Sequence, residues 1–221
     1  MKLLCHALMK FFAGLILLGL LLFLPAGTLA YPGAWRFLAL LFVPMLILGA
    51  VLLIKAPALL EKRLNTKEKE GAQQGILAVS GLLFLAAFIL AGLDFRFGWS
   101  HMPVWLTVSA SIVLLAAYAM YAEVMRENVY LSRTVEVQDG QHVIDTGLYG
   151  IVRHPMYTAT IFLFLAIPLV LGSWPAFAVM LFFPVTIIFR IRNEERVLEE
   201  GLDGYRAYKQ KVKYRLIPFV W

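Results

Sequence analysis

The fold of this chain is constrained above all by a series of six long apolar runs separated by short polar segments. They lie at about residues 11–30, 37–54, 76–93, 104–122, 156–172 and 176–189. A helix rises about 1.5 Å per residue, so a run of about 18 residues nearly crosses a hydrocarbon layer of about 30 Å. With 61% hydrophobic and 15% charged residues, the chain is more apolar and less charged than an average soluble domain. The sequence predicts an all-α integral membrane protein, a bundle of about five to six transmembrane helices forming a single membrane domain over residues 1–221.

The last two runs are shorter than the others. As helices, residues 156–171 and 176–189 span only about 24 and 21 Å. They flank the sequence GSWP at 172–175, which predicts a tight helical hairpin. Either the bilayer thins here or the hairpin is buried among longer helices. Both ends of a hairpin return to the same side, so the polar residues that flank it are expected to lie close together.

The basic residues predict an orientation in the membrane. Of the 20 lysine and arginine residues, all but Arg36 and Arg96 fall in the amino terminus or in segments 55–75, 123–155 and 190–221, which successive spans place on one side. The positive-inside rule makes that side cytoplasmic. We expect a protein of the bacterial inner (plasma) membrane with both termini and its active site in the cytoplasm. The net charge of +6 then sets orientation, with anionic membrane lipid as a secondary attraction and no nucleic-acid partner.

Residues 1–30 are open to two interpretations. Lys2 and Lys10, the apolar residues that follow and the small residues near Ala30 match a signal peptide with its cleavage site. The favoured alternative is a first spanning helix that ends near Pro25 and Gly27. The later topology is the same in both cases, and residues 1–122 hold the amino-terminal transmembrane helices.

Two polar segments between the spans carry weaker signals. The mixed charges EKR at 61–63 and KEKE at 67–70 are typical of a solvated face rather than of a binding site. Residues 134–138 alternate polar and apolar side chains, and Asp139-Gly140 is a turn signal before residues 142–144. This pattern is consistent with a small extended hairpin outside the bilayer.

Two polar clusters border the last hairpin. The first spans residues 147–157 (GLYGIVRHPMY) and the second spans residues 190–195 (RIRNEE). Membrane proteins keep ionisable groups beside apolar runs mainly for pairing or for chemistry. We therefore interpret the clusters as two walls of one site.

In the first cluster, Pro155 suits the first position of a helix because its missing N–H group has no helical partner there. Proline also holds the preceding residue, His154, in an extended conformation at the helix entrance. The backbone amides of Met156 and Tyr157 would then be open to an anion. Arg153 would add a fixed positive charge beside them.

In the second cluster, Arg190 and Glu194 lie four residues apart and share one face of a helix. The ordinary explanation is a helix ion pair worth a few tenths of a kcal/mol. The functional explanation is that Arg190 receives an anionic group while Glu194 receives a cationic one. Tyr149 and Tyr157 of the first cluster would offer ring faces to an adenine or a cation.

The tail, residues 198–213, alternates apolar and charged side chains, as amphipathic membrane-surface segments do. Gly201 and Gly204 are expected to interrupt it. A surface helix that anchors the chain and a lid that encloses a cofactor explain this pattern equally well.

These residues together resemble the isoprenylcysteine carboxyl methyltransferase family and its bacterial relatives. The resemblance covers about residues 130–221 and lies in GLY at 147–149, RHPMY at 153–157, an apolar hairpin, Glu194-Glu195, Tyr205-x-x-Tyr208 and Ile217-Pro218. It implies a membrane methyltransferase whose catalytic region is residues 130–221 and whose cofactor is S-adenosylmethionine. Arg190 falls where the family has its substrate-orienting arginine, so it is the predicted catalytic and substrate-binding residue. The cofactor contacts that the resemblance implies are Gln141, His142, Val143, Ile144, Tyr149, His154, Pro155, Met156, Tyr157 and Glu194.

The reaction implied is an in-line attack on the sulfonium methyl carbon by a lipophilic acceptor, such as the carboxylate of an isoprenylated cysteine. The protein would contribute positioning and replacement of water. Two positions depart from the family. Ala159 replaces a glycine of many members, and Thr134 replaces a glutamine that helps hold the cofactor in the eukaryotic enzymes. Both departures leave the pocket size and the acceptor open.

Two other functions remain open. A membrane reductase of the sterol type shares similar carboxyl-terminal helices and uses NADPH, and the lack of a Gly-x-Gly-x-x-Gly sequence does not exclude a membrane-embedded dinucleotide site. A small transporter or scaffold would need polar groups deep within several spans, whereas the runs before residue 123 are almost free of charge. A single cysteine, Cys5, and four scattered histidines predict neither an internal disulfide nor a metal site.

Overall fold

A computed structural model describes residues 2–65, 71–132 and 134–221. Within those residues the chain forms helices and no β-strand. The α-helices are α1 (Lys2–Ala26), α2 (Pro32–Lys55), α3 (Pro57–Leu64), α4 (Gly71–Phe97), α5 (Val104–Glu127), α6 (Pro155–Leu171), α7 (Trp174–Met180), α8 (Phe183–Gly201) and α9 (Tyr205–Lys211). A short 3-10 helix, Gly147–Gly150, precedes α6. The predicted all-α fold is confirmed.

Five segments of the described residues are long and apolar enough to cross a membrane. They are α1, α2, residues Gln73–Phe97 of α4, α5, and Trp174–Gly201, which joins α7 and α8. The sixth apolar helix, α6, has 17 residues and is shorter than the others. The structure thus agrees with the predicted bundle of about five to six transmembrane helices.

The turn between α6 and α7 forms as predicted. Gly172 ends α6 with a φ of 84°, the left-handed conformation that glycine adopts most easily. Ser173 then caps α7, because its hydroxyl accepts a hydrogen bond from the Ala176 amide at 3.2 Å. The two residues therefore reverse the chain within one short connection.

The run at 176–189, predicted as a single helix, is broken at Leu181 and Phe182. The break lies just before Pro184, near the start of α8. Proline has no N–H group to donate to the carbonyl four residues earlier, here that of Met180, so an uninterrupted helix is disfavoured. The prediction of one continuous helix was wrong for this reason.

The short helix α6 lies inside the bundle. It packs against α2, α4, α5, α7 and α8, and Ala159 and Val170 on it have no solvent-exposed surface. By contrast, large apolar side chains on the longer helices remain exposed, including Ile16 at 61% and Leu82 at 66%. These two are available to lipid, whereas α6 has protein on most sides. For α6 the structure therefore favours burial among longer helices. The second arm of the hairpin instead belongs to the spanning segment Trp174–Gly201 and leaves Phe182 and Phe189 exposed.

The helix α1 is part of the same bundle. It packs against α2 and α4, and its Leu22 is completely buried. A Cβ atom added to Gly92 of α4 would lie 2.7 Å from the Leu22 carbonyl oxygen, so the two helices touch through their backbones. This packing agrees with the spanning-helix interpretation of residues 1–30.

The end of the bundle opposite the polar clusters is held by polar contacts of two buried residues, Asp94 and Tyr31. Both carboxylate oxygens of Asp94 accept hydrogen bonds from Ser100, from its amide at 2.7 Å and its hydroxyl at 2.6 Å. The Ser100 hydroxyl in turn accepts the Trp174 amide at 3.1 Å. Tyr31 donates to the Leu171 carbonyl at 2.8 Å. These bonds join α2, α4, α6 and α7 at one end.

At the other end, α3 is more than a solvated surface. Its Leu59 and Leu60 are buried. The Arg63 guanidinium donates to the Ser132 carbonyl at 3.0 Å and to the Tyr121 hydroxyl, and it lies 3.8 Å from the Met156 sulfur. The solvated-face interpretation was therefore wrong for Arg63. The charges at 67–70 lie outside the described residues.

The predicted extended hairpin over residues 134–144 forms only its turn. Gly140 adopts a φ of 69°, and the Gln141 amide donates to the Gln138 carbonyl at 3.0 Å. Within the described residues 134–144, no strand forms on either side of this turn. The Gln138 amide donates to the Gln141 side chain, and the Gln138 side chain donates to the Tyr130 carbonyl, which lies outside the predicted hairpin. The strand prediction was wrong on this point.

Candidate functional site

The two polar clusters meet in one cleft at the polar end of the bundle. The cleft holds about 850 Å³ of empty space, its open side included. Nearly all the residues predicted from the sequence line it, namely Gln141, His142, Val143, Ile144, Tyr149, His154, Met156, Tyr157, Arg190 and Glu194. Pro155 is fully buried at the start of α6 and is not among the lining residues. The predicted meeting of the clusters is thus found, and the roles of these residues stay predictions.

The Tyr157 hydroxyl connects the two walls. It accepts a hydrogen bond from Arg190 Nε at 2.8 Å and donates one to the Glu194 carboxylate. Arg190 also lies over the Tyr157 ring, with 5.8 Å between the guanidinium carbon and the ring centroid. Arg190 and Glu194 share a helix face as predicted, and the tyrosine fixes both side chains against α6.

The next residue on α8, Glu195, has a different environment. Its carboxylate accepts hydrogen bonds from Arg153 Nε at 2.8 Å and Arg215 Nε at 3.0 Å, and it lies 3.2 Å from His154 Nε2. Arg153 also donates to the backbone carbonyl of Val212. A buried carboxylate and two carbonyls already use the Arg153 guanidinium, so this arginine, which lines the cleft, has less charge to offer an anion than predicted. Glu195 and Arg153 instead join α6, α8 and the tail.

The start of α6 differs from the anion site that the sequence predicted. The Tyr157 amide donates to the His154 carbonyl at 3.0 Å, and the His154 amide donates to the Arg215 carbonyl at 2.9 Å. The His154 backbone has φ −127° and ψ 60°, so it is not extended as predicted, and its amide is paired with the tail. The Tyr157 amide is therefore already used within the protein and is not open to a ligand.

Tyr149 is held at both its polar ends. Its hydroxyl accepts a hydrogen bond from the Asn128 side chain at 3.0 Å, and its carbonyl accepts one from the Tyr208 hydroxyl at 2.7 Å. Burial raises the pKa of Tyr149 and of Tyr208, so both phenols remain protonated. Asn128 lines the cleft and had no sequence signal beyond its place after a helix.

A further cleft residue that sequence reasoning missed is Tyr130. Its hydroxyl donates to the Gly140 carbonyl at 3.1 Å and lies 2.9 Å from His142 Nδ1. These contacts hold the extended stretch that begins at Gln141. Thr134, one of the two departures from the family, also lines the cleft, and its hydroxyl donates to Glu136 at 3.0 Å.

The tail closes over the extended stretch. Leu202, Tyr205, Tyr208 and Val212 form a buried cluster with the partly buried Val137, Val143 and Leu198. The interruptions predicted at Gly201 and Gly204 are found, since α8 ends at Gly201 and α9 begins after Gly204, which has a φ of 81°. Lys211 bonds to Asp145 at 2.6 Å, which lowers the pKa of that carboxyl group. These contacts favour the enclosing role of the tail over the surface-anchor role.

The cleft thus combines a carboxylate, a guanidinium, aromatic rings and an apolar lid beneath a membrane bundle. Such a site can hold a nucleoside-type ligand that carries a positive charge next to a second, anionic group. Residues 103–203, just under half of the chain, match the model of the phospholipid methyltransferase family. This match supports a membrane methyltransferase, in agreement with the coarser part of the sequence prediction.

A sterol reductase is also similar to part of the chain. The Delta(14)-sterol reductase of Mus musculus is 30% identical over 91 residues, which make up 40% of this chain and 22% of that protein. The chain therefore spans less than a quarter of the length of this curated relative. The similarity agrees with the reductase alternative drawn from the sequence and covers less of the chain than the methyltransferase match.

Proposed function

We propose that this protein is an S-adenosylmethionine-dependent methyltransferase of the membrane. Its acceptor would be lipophilic and would carry a carboxylate, such as that of an isoprenylated cysteine, so that the product is a methyl ester. The observation that carries the proposal is the position of the Tyr157 hydroxyl. Within one cleft it accepts a hydrogen bond from Arg190 at 2.8 Å and donates one to Glu194. Opposite charges so placed suit a cationic cofactor beside an anionic acceptor.

The residues of the cleft fit S-adenosylmethionine in their chemistry. Glu194 lines the cleft with 23% of its side chain exposed, so its carboxylate can face a cationic ligand. Val143, Ile144 and Leu198 offer apolar surface to a purine. When bound, this cofactor supplies an activated methyl group on a positively charged sulfur.

The protein's own groups would act by positioning. Arg190 would orient the acceptor carboxylate, and Tyr157 would hold Arg190 and Glu194 at a fixed separation, which can lower a barrier by several kcal/mol. The tail cluster around Leu202 would exclude water from the nucleophile. The lipophilic part of the acceptor would lie among the apolar helices. The positive-inside rule supports a cytoplasmic cleft, and the membrane would be a bacterial inner membrane.

A phospholipid headgroup is a second acceptor, favoured by the name of the matching family. Arg190 would then bind the phosphate, since a guanidinium fits phosphate and carboxylate oxygens alike. A reductase that binds NADPH is the other candidate, favoured by the similarity over 91 residues to a sterol reductase.

Binding measurements separate these functions. Protein purified in detergent is titrated with S-adenosylhomocysteine and, separately, with NADPH. We expect saturable binding of S-adenosylhomocysteine alone. Binding of NADPH alone would replace the proposal with the reductase, and binding of neither would favour a transporter or scaffold.

The acceptor is identified by incubating membranes with methyl-labelled S-adenosylmethionine. A carboxylate acceptor yields label in a lipophilic fraction from which alkali releases it as volatile methanol, because methyl esters hydrolyse. Label that alkali leaves non-volatile, in the water-soluble headgroup of the deacylated phospholipid, would instead identify an amine. The two acceptors thus give opposite results in one assay.

A further inference from the structure

We infer that Tyr205 is a ligand-binding residue of the cleft, whose hydroxyl donates a hydrogen bond to the nucleoside part of the cofactor. The inference rests on the proposed function and extends it to a residue that neither the motifs nor the comparisons assign to the cofactor. Tyr205 lines the cleft and is 4% exposed. Its hydroxyl oxygen is buried and has no hydrogen-bond partner within the described part of the chain.

The other tyrosines of the cleft show how unusual this is. The hydroxyl groups of Tyr130, Tyr149, Tyr157 and Tyr208 each bond to a named protein group. A buried hydroxyl without a partner is costly, because it has given up water and gained nothing in exchange. Of the tyrosines in this cleft, Tyr205 is therefore the one whose hydroxyl group would gain a hydrogen bond from a bound ligand.

The protonation of Tyr205 indicates what that partner is. Burial raises its pKa, and the nearby carboxylates of Glu195 and Glu194 raise it further. The phenol thus keeps its proton and can donate it in a hydrogen bond. The same two carboxylates repel an anionic acceptor, so a neutral acceptor such as a ribose hydroxyl or a purine nitrogen is favoured over a ligand carboxylate.

The position of Tyr205 agrees with a nucleoside partner. It is the first residue of α9 and packs in the tail cluster with Val143 of the extended stretch. A Cβ atom added to the preceding Gly204 would lie 3.9 Å from the Val143 side chain. Tyr205 therefore lies where the tail meets the apolar wall proposed for the purine.

The test compares Tyr205→Phe with Tyr208→Phe, both made in the full-length protein in detergent. Two quantities are measured, the thermal unfolding midpoint without ligand and the dissociation constants for S-adenosylhomocysteine and for methylthioadenosine, which lacks the amino-acid part. For Tyr205→Phe we expect an unchanged or higher midpoint and dissociation constants about tenfold larger for both ligands, the loss of one hydrogen bond. For Tyr208→Phe we expect a lower midpoint, because its hydroxyl bonds to Tyr149 in the free protein.

Unchanged affinities in Tyr205→Phe, or a lowered midpoint like that of Tyr208→Phe, would overturn the inference by making Tyr205 a structural residue. Weaker binding of S-adenosylhomocysteine alone would overturn the nucleoside assignment. Failure of the proposed function is recognised separately, because it depends on whether the unaltered protein binds S-adenosylhomocysteine at all. The role of Tyr205 is judged from the ratio of the dissociation constants of the Tyr205→Phe variant and the unaltered protein.

Discussion

The hydroxyl of Tyr157 shows how a single atom can join two sequence-distant clusters. It accepts from Arg190 and donates to Glu194, so each charged side chain has a polar neighbour in a poorly solvated place. Arg190 is 8% exposed, and an arginine so buried is costly unless hydrogen-bonded. The arrangement keeps the two charges in place before any ligand binds, which limits the reorganisation that the reaction requires.

Replacing Arg190 tests its predicted role toward the acceptor. We expect Arg190→Ala to lower methyl transfer by at least about a hundredfold, the loss typical of a positioned charged donor, while the dissociation constant for S-adenosylhomocysteine changes less than about tenfold. The control is Arg192→Ala, which removes an exposed arginine two residues away and should leave both quantities unchanged. Loss of cofactor binding together with activity would contradict the assignment.

Replacing Glu194 tests the cationic side of the cleft. Glu194→Gln keeps an oxygen for the Tyr157 hydroxyl but removes the negative charge. We expect S-adenosylmethionine to bind at least about tenfold more weakly, and we expect a smaller loss for S-adenosylhomocysteine because its sulfur is neutral. Isothermal titration measures both, with the exposed Glu200→Gln as the matched control. Equal binding by Glu194→Gln and the unaltered protein would show that the second wall is misassigned.

At the scale of the elements, local chemistry predicted the helical hairpin but not the contacts beyond it. Gly172 and Ser173 provide their own turn and cap, so the sequence alone was sufficient. Pro184 breaks the last run because it lacks the N–H group that a continuous helix needs there. The uniformly apolar pattern of the run gave no indication of this break. Residues 134–138 alternate as a strand does, yet they form no strand, and the Gln138 amide donates to the Gln141 side chain.

The site shows the same division. The clusters were expected to meet because a hairpin returns them to one side. That Glu195 would use the charge of Arg153 could not be predicted, since the partner lies 42 residues away and Glu194 is an equal candidate in the sequence. Likewise nothing local indicates that Arg63 of α3 reaches Ser132. Contacts between elements far apart in the chain depend on packing that no local pattern records.

Glu195 is the residue through which α8 holds the tail. Removing one partner from a buried charge network costs on the order of 3 kcal/mol, so Glu195→Gln should unfold at a lower temperature and bind S-adenosylhomocysteine more weakly. Amide hydrogen exchange of residues 205–221 should rise in the same variant, because Arg153 and Arg215 lose their shared carboxylate.

The matched control for this change is Glu199→Gln, one turn later on α8. Among the described residues Glu199 pairs with Lys209, and its side chain is 33% exposed, so its loss should matter little. Similar hydrogen exchange of the tail in both variants would show that Glu195 does not hold it.

At the scale of the whole molecule, polar contacts hold the bundle at its two ends, and apolar packing fills the middle. At one end Asp94, 2% exposed, bonds to Ser100 through both carboxylate oxygens. At the other end lies the cleft. The central helix α6 runs between them, from Pro155 beside the cleft to Leu171, whose carbonyl accepts the Tyr31 hydroxyl. If the ends are independent, stability and ligand binding can be changed separately.

Asp94→Asn tests this independence. An asparagine keeps one acceptor oxygen but presents an NH₂ group to the other Ser100 donor, so we expect a loss of about 1–3 kcal/mol in the free energy of unfolding. Ser100→Ala should also destabilise, and the two changes combined should cost less than their sum, because they remove the same bonds. The dissociation constant for S-adenosylhomocysteine should stay within about twofold in all three variants. A parallel loss of affinity would instead mean that changes at the Asp94 end reach the cleft, through α6 or through α4, whose Gln73 side chain donates to the Arg190 carbonyl at 3.2 Å.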